Sequence, residues 1–451
     1  MNIVERLLGL LPSPIERRLR RFVPQGELSR GVLTLVVGTT VAQGLVIVTS
    51  PILTRLYSPA DFGAFGLATS ILAVLLTVTC LTYDWAIALP EDAAAAANVL
   101  ALCLVVNLVM TLVCGLVLAL VAPTLLVGFG VAQIGAFLVL LVIDQLGGGV
   151  ALAFTGWAIR RKSFPDLAAA RVTQSAATVT VQIALGVIVF GPVGLLLADV
   201  VGRIVGALRL ARPAWRESAG AFRQVTRRGL RAAAVRYRRF PIYSTGSSVL
   251  NTLGLQAPLL LLVALYGTQA GGRFLLAQRV AALPMILVAG SVGQVFFAEA
   301  ARLVREDPRA LTALFLRGTR SLARGGIVPS VLVMVAAPFL FGPLFGADWQ
   351  EAGLYAALLA PMYFLALVTS PTGGTLDVLE RQDLHLAREL LRLGLVGSAV
   401  VAAAALHFPA TTAVAVLGVA GCATYVLYGL ISWWAIERHL AKLAPRGPAG
   451  A

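Results

Sequence analysis

The chain has 451 residues, 59% of them hydrophobic and only 13% charged, with a mean hydropathy of +0.88 and a formal net charge of +15. A soluble chain of this length carries about a quarter charged residues, so half that fraction, with apolar runs of roughly 20 residues, excludes a cytosolic enzyme and indicates a polytopic membrane protein. Arginine supplies nearly all the positive charge, since Lys162 and Lys442 are the only lysines, a bias that genome composition alone can produce.

In chain order, residues 1–30 form a basic segment. The apolar stretch Leu7 to Leu11 is too short for a signal peptide and is followed by Pro12, Pro14 and Arg17, Arg18, Arg20 and Arg21. It reads as an amphipathic cytoplasmic tail on an anionic membrane surface. Beyond it, twelve spans are predicted, over 31–53, 62–88, 94–121, 132–156, 167–190, 193–210, 241–266, 272–298, 312–341, 350–372, 386–407 and 411–436. Each must cross about 30 Å of hydrocarbon at about 1.5 Å per residue. The organisation expected is an N-lobe over 31–210, a basic cytoplasmic linker over 211–240, a C-lobe over 241–436 and a cytoplasmic C-tail over 437–451.

Orientation follows from the cations, because Lys and Arg are retained on the inner side. With both termini cytoplasmic, 32 of the 36 Lys and Arg fall on inner segments; the others are Arg55 and Arg273 near the outer side and Arg203 and Arg279 within spans. The expected outer loops, 54–61, 122–131, 191–192, 267–271, 342–349 and 408–410, are too short to build a catalytic domain.

The start of span seven echoes the start of span one. A shift of 208 pairs Gly38 with Gly246, Thr39 with Ser247, Thr40 with Ser248 and Gln43 with Asn251, and a shift of 209 pairs Tyr57 with Tyr266, Gly63 with Gly272 and Phe65 with Phe274. Six spans per half is an even number, so the halves share one orientation and form a parallel repeat about an axis along the membrane normal.

Ionisable groups are costly in membrane helices, at least about 2.5–3.5 kcal/mol each at the centre, so a pathway is sought where they occur. Here they are Asp84, Asp144, Asp199, Arg203, Arg279 and Glu299, with Arg55 at a helix end. Asp199 and Arg203 lie four apart and neutralise one another on one helical face. Asp144, before the Gly147-Gly148-Gly149 run, is either a proton or cation site or a satisfied polar group near a helix break. Thr40, Gln43, Ser50 and Thr54 share a stripe of span one, and Ser244, Ser248 and Asn251 occupy the repeat-related place, with Pro51 and Pro258 loosening the two helices. The stripes serve either helix packing or a polar cavity between the halves. Arg55 and Arg279 are the cations singled out, because a guanidinium forks onto phosphate and stays charged.

Covalent chemistry has no candidate. His385, His407 and His439 lie apart, and Cys80, Cys103, Cys114 and Cys422 form no metal-binding pattern, so no catalytic residue, metal or cofactor is expected. GxGxxG and P-loop patterns are absent, so transport would draw on an ion gradient, a partner or the substrate gradient.

The stretch QGLVIVTSPILTRLYSPADFG at 43–63 and YDWAIALP at 83–90 resemble bacterial O-antigen and capsule flippases of the multidrug/oligosaccharidyl-lipid/polysaccharide exporter superfamily. WAIRRKSF at 157–164, RYRRFPIYS at 236–244, AQRVAALP at 277–284 and GQVFFAEAARL at 293–303 extend the resemblance over most of the chain, although Asp84 stands where the family more often has Glu. The resemblance implies an all-α polytopic membrane protein of twelve helices in two lobes of six, around a central cationic cavity that opens alternately to each side of the bacterial cytoplasmic membrane. It implies an undecaprenyl-diphosphate-linked glycan as substrate, membrane lipid around it, and a polysaccharide polymerase and chain-length regulator as partners, with no nucleic acid. Substrate-binding residues would be Arg55, Arg279, Arg203, Gln43, Asn251 and Tyr57, and Asp84 and Asp144 would serve coupling or gating. A drug or cation antiporter of the same superfamily would rely on cavity acids, where this chain supplies arginines as readily; an O-antigen polymerase would need a large outer loop.

Overall fold

A computed structural model describes residues 27–128, 134–188, 191–379 and 381–443. The expected amphipathic tail, apart from its last four residues, the end of the 122–131 loop and most of the C-tail lie outside the described residues. Among the described residues the chain is helical throughout, with no strand. The described residues form fifteen α-helices, α1 (Glu27–Leu56), α2 (Pro59–Thr79), α3 (Tyr83–Ala86), α4 (Ala93–Gly128), α5 (Ile134–Arg160), α6 (Phe164–Val187), α7 (Gly191–Phe222), α8 (Arg227–Arg236), α9 (Thr245–Ala281), α10 (Leu283–Glu306), α11 (Ala310–Phe345), α12 (Gln350–Thr369), α13 (Thr375–Val378), α14 (Gln382–Ala405) and α15 (Ala410–Leu443). Among the described residues eight helical stretches are long and apolar enough to cross a membrane.

Their outward faces have the pattern of lipid contact. Leu108, Leu112, Leu116 and Leu120 recur every four residues along α4 and are all exposed, as are Val328, Leu332, Val335 and Phe339 along α11. A soluble protein rarely leaves apolar stripes of this extent uncovered, whereas hydrocarbon solvates them at no cost. The protein is a multi-pass membrane protein.

The described helices fall into two compact units, one running to Thr252 and the other beginning at Leu253, within α9. In the first unit α1 packs on α6, α6 on α7, α5 on α7 and α4 on α5. The approach of α6 to α7 depends on Gly202, where a Cβ would lie 1.9 Å from the Thr178 hydroxyl. Small residues at such crossings let backbones come close, the usual device where water supplies no driving force. The basic stretch after span six is folded here: α7 continues through Pro213, kinks at Ser218 and ends at Phe222, and α8 packs against α4, with Asn98 Oδ1 accepting from the Thr226 amide at 3.1 Å.

Local sequence explains the entry to α2. Pro59 takes the first turn, the Asp61 amide donates to the Ser58 hydroxyl at 3.2 Å, and the Ser58 amide donates to Asp61 at 2.9 Å, a reciprocal cap. Its exit differs from expectation. In place of one span over 62–88, the helix stops at Thr79, Leu81 and Thr82 take left-handed backbone angles, and α3 restarts the chain for a single turn. Cys80, Tyr83, Ala86 and Ile87 are buried there against Trp157 and Leu167, so packing of the turn overrides the helical propensity of its residues.

In the second unit α11 packs on α12, α12 on α15 and α14 on α15. Gly267 interrupts α9 with a φ of 85°, a conformation open to glycine, and so separates two helical segments within the expected 267–271 loop. At one end of this unit Glu351 accepts from Arg273, from the Tyr355 hydroxyl at 3.0 Å and from Thr411 at 3.0 Å, which ties α9, α12 and α15 together.

Candidate functional site

In the first unit the residues that carry charge inside the helices converge. Arg203 on α7 donates to Asp199, one turn earlier, at 2.9 Å, and its Nε lies 2.7 Å from Asp144 Oδ1 on α5. Asp144 is completely buried. Two carboxylates and one guanidinium leave one formal negative charge in surroundings that solvate it poorly, and one proton or one monovalent cation would restore balance. A cavity of 180 Å³ opens beside the cluster, lined among others by Arg203, Gln174, Arg171, Thr155 and Gly148.

A second polar layer sits next to it. Gln145, also fully buried, donates to the Thr79 hydroxyl at 2.9 Å, and Asn107 donates to the Leu146 carbonyl at 3.0 Å. The Gly147–Gly149 run beside these residues marks no helix break, because α5 passes straight through it. Its role is close approach: a Cβ on Gly149 would lie 2.1 Å from Asn107 Oδ1. The sequence showed the Asp199–Arg203 pair by its spacing; Asp144 joins from another helix, which spacing cannot show.

The other expected site residues are distributed over both units. Arg55 is exposed on the last turn of α1. Tyr57, one of the expected substrate ligands, is buried, and its hydroxyl donates to the Gln182 carbonyl at 2.8 Å, fastening the end of α1 to α6. The stripe on α1 is divided by burial: Thr40 and Gln43 are exposed, whereas Ser50 and Thr54 are buried and bond back to the carbonyls of Val46 at 2.8 Å and Pro51 at 3.2 Å. Asn251 is half-buried near the start of α9 and Arg279 half-buried near its end, and both are engaged by neighbouring groups. Asp84 is half-buried in the α3 turn, with its carbonyl against Gly156 of α5.

The second unit holds a charged cluster that the sequence reading assigned only to loop cations. Arg388, Glu389 and Arg392 occupy consecutive turns of α14, and Glu389 is ion-paired with Arg392. Arg388 and Glu389 are 5% and 7% exposed. The Arg388 guanidinium carbon lies 4.0 Å from the centre of the Tyr428 ring on α15, and the Tyr428 hydroxyl donates to the Arg388 carbonyl at 2.9 Å. Among the described residues no group of three or more His, Cys, Asp or Glu is placed to hold a metal ion.

Residues 52–353 match the family described as polysaccharide biosynthesis protein. The chain belongs to that family. It is also 27% identical over 348 residues to the succinoglycan biosynthesis transport protein ExoT of Rhizobium meliloti (strain 1021), an alignment covering 74% of this chain and 65% of that protein. Its fold is similar to an inward-facing multidrug resistance MATE family transporter of the MOP superfamily, with a TM-score of 0.67 at 14% identity over 91% of this chain and 96% of the other. A variant of the Vibrio cholerae MATE transporter VcmN aligns with a TM-score of 0.63 at 13% identity, covering 92% and 96% of the two chains. A MOP superfamily transporter from Pyrococcus furiosus aligns at 0.58 and 13%, covering 92% and 97%. At these identities the structural likeness establishes the fold, and this polysaccharide biosynthesis family member has the two-lobed helical architecture of those transporters.

Proposed function

We propose that the protein is a flippase that moves an undecaprenyl-diphosphate-linked oligosaccharide from the inner to the outer leaflet of the bacterial cytoplasmic membrane by alternating access. The observation that carries this reading is the combination of a polysaccharide biosynthesis family match over residues 52–353 with a transporter fold. In this reading twelve helices span the membrane with both termini cytoplasmic, the polyprenyl tail stays in lipid, and the diphosphate and sugars cross through a cationic cavity. Arg55 and Arg279 offset the diphosphate charge, with Gln43 and Asn251 offering polar contacts. Arg203, whose donors are directed to two carboxylates, holds the Asp144–Asp199 pair in place, and that cluster is the coupling site, taking up a proton or cation as the substrate crosses. Asp84, in the turn between α2 and α4, acts in gating. A polysaccharide polymerase and chain-length regulator take the product onward.

The test is complementation of a strain lacking the protein. Arg55→Ala and Arg279→Ala, expressed at wild-type level, should abolish surface polysaccharide while lipid-linked units accumulate on the inner leaflet, and Arg→Lys should be intermediate because it keeps the charge but loses the fork. Normal export by both Ala variants would overturn the diphosphate role, and normal export in the deletion strain would overturn the flippase reading.

A further inference from the structure

Residues 211–240 hold nine arginines and a single acid, Glu217, which is itself ion-paired with Arg161 beyond the end of α5. All nine arginines are exposed, and among the described residues none of them forms an ion pair. Arg212 and Arg216 lie four apart on α7, and Arg227 and Arg231 four apart on α8. At that spacing like charges on a helix repel each other, a cost that an anionic partner would offset.

These cations stand on a built surface. On α7, Ile204 and Leu208 are exposed, and the same four-residue spacing continues into Arg212 and Arg216, with Trp215 beside them. The stripe starts inside the predicted span 193–210 and leaves it at Arg212. Apolar side chains that give way to arginine and tryptophan within one turn match the order of environments at a bilayer edge, hydrocarbon first and headgroups next. Trp215 is 63% exposed, yet its ring is held: it stacks on Phe222 at 5.3 Å, and Phe222 leans on the buried Trp157 of α5 at 5.0 Å. Past the kink at Ser218, α8 buries Ala233 against α4, and Arg228 and Arg231 are left exposed on its surface.

We propose that Arg212, Trp215 and Arg216 form a docking surface for the anionic phospholipid headgroups of the bilayer in which the protein sits, with the arginines of α8 adding to the positive field around it. Charge complementarity selects the partner, since guanidiniums without an acid meet phosphodiesters while the arginine stems and the Trp215 ring lie along the acyl boundary. An acidic protein would satisfy the charge but leave the apolar half of the stripe, Ile204 and Leu208, uncovered; the bilayer accounts for both halves. The surface contains none of the residues assigned to transport, so it stands whether or not that reading holds.

The test uses full-length protein in nanodiscs of phosphatidylcholine with or without phosphatidylglycerol, read by hydrogen exchange. Phosphatidylglycerol should slow exchange in peptides from 211–222, and added salt should reverse the slowing because the contact is electrostatic. Affinity is measured by titrating the detergent-solubilised protein with short-chain phosphatidylglycerol, following the fluorescence that is lost in Trp215→Phe. Arg212→Gln and Arg216→Gln should each weaken it about fivefold, the effect of one cation at an anionic surface, whereas Arg→Lys at either position should leave it near wild type. Both side chains are exposed, so the variants fold, and an unchanged thermal midpoint checks this. Equal exchange in the two lipids, or an affinity unchanged in the double Gln variant, would overturn the proposal. So would equal slowing by inorganic pyrophosphate in phosphatidylcholine alone, which would assign the surface to a soluble or substrate-borne phosphate instead of the bilayer.

Discussion

The two buried charge clusters are opposites in composition. In the first unit two acids, Asp144 and Asp199, share one arginine, Arg203; in the second two arginines, Arg388 and Arg392, flank one acid, Glu389. The three residues of the first leave a formal negative charge, whereas in the second Asp377 as well as Glu389 acts on Arg388, so the acids there offset both arginines. They also differ in how their members depend on one another. Among the described residues Arg203 is the one cation paired with either acid, whereas Glu389 keeps Arg392 if Arg388 is removed, and Arg388 rests on a ring and forms no ion pair.

That asymmetry of dependence sets the order of expected effects. Arg203→Leu strands two carboxylates, one of them fully buried, and removal of the single partner from a buried pair costs about 3–5 kcal/mol. We expect a large fall in the thermal midpoint of the purified protein, and recovery of much of it when Asp144→Asn and Asp199→Asn are added. An Arg203→Leu protein that melts with wild type would show that the cluster does not hold α5 to α7. Arg388→Leu should cost less, about 1–2 kcal/mol, because a desolvated cation–π contact is lost while no ion pair is broken. Equal midpoints for the Arg203 and Arg388 variants would remove the distinction between the clusters.

Much of the fold could be read from the chain because hydrocarbon imposes a simple rule on it. Every predicted span from 31–53 to 411–436 falls at least partly on a helix, and the Gly267 break lies in a predicted loop. The interruption at Leu81 and Thr82 was hidden, since no proline or glycine marks it and its cause is packing from residues far along the chain, Trp157 among them. The candidate site divides in the same way. Asp199 and Arg203 were legible as a pair four apart, but Asp144 is more than fifty residues earlier and only the packing of α5 on α7 brings it in. Arg388 and Arg392 could be counted in sequence but not distinguished from topology-setting cations, because burial, and not residue type, separates the two roles. The SPADFG motif shows the converse: Ser58 and Asp61 close a helix cap and Tyr57 docks on α6, so part of a family signature is structural.

The smallest effect belongs to an ion pair in water, which provides the reference for the buried ones. At the head of α14, Arg381 donates from Nε and Nη2 to the two Asp383 carboxylate oxygens at 2.8 and 2.7 Å, a two-point contact like that expected of a guanidinium on phosphate. These bonds, with smaller help from backbone amides, hold the Asp383 carboxyl down at about 2. Because the folded value is depressed, the pair's contribution to stability is present above the ordinary carboxylate range and is lost as pH falls through about 2. Solvent and salt screen an exposed pair strongly, so Asp383→Asn should shift the thermal midpoint at pH 7 less than either Arg203→Leu or Arg388→Leu, and the shift should shrink further on approaching pH 2 and in high salt. An Asp383→Asn shift at pH 7 as large as that of Arg388→Leu would mean that burial is not what ranks these clusters, since the exposed pair has the more complete hydrogen bonding and Arg388 the more complete desolvation.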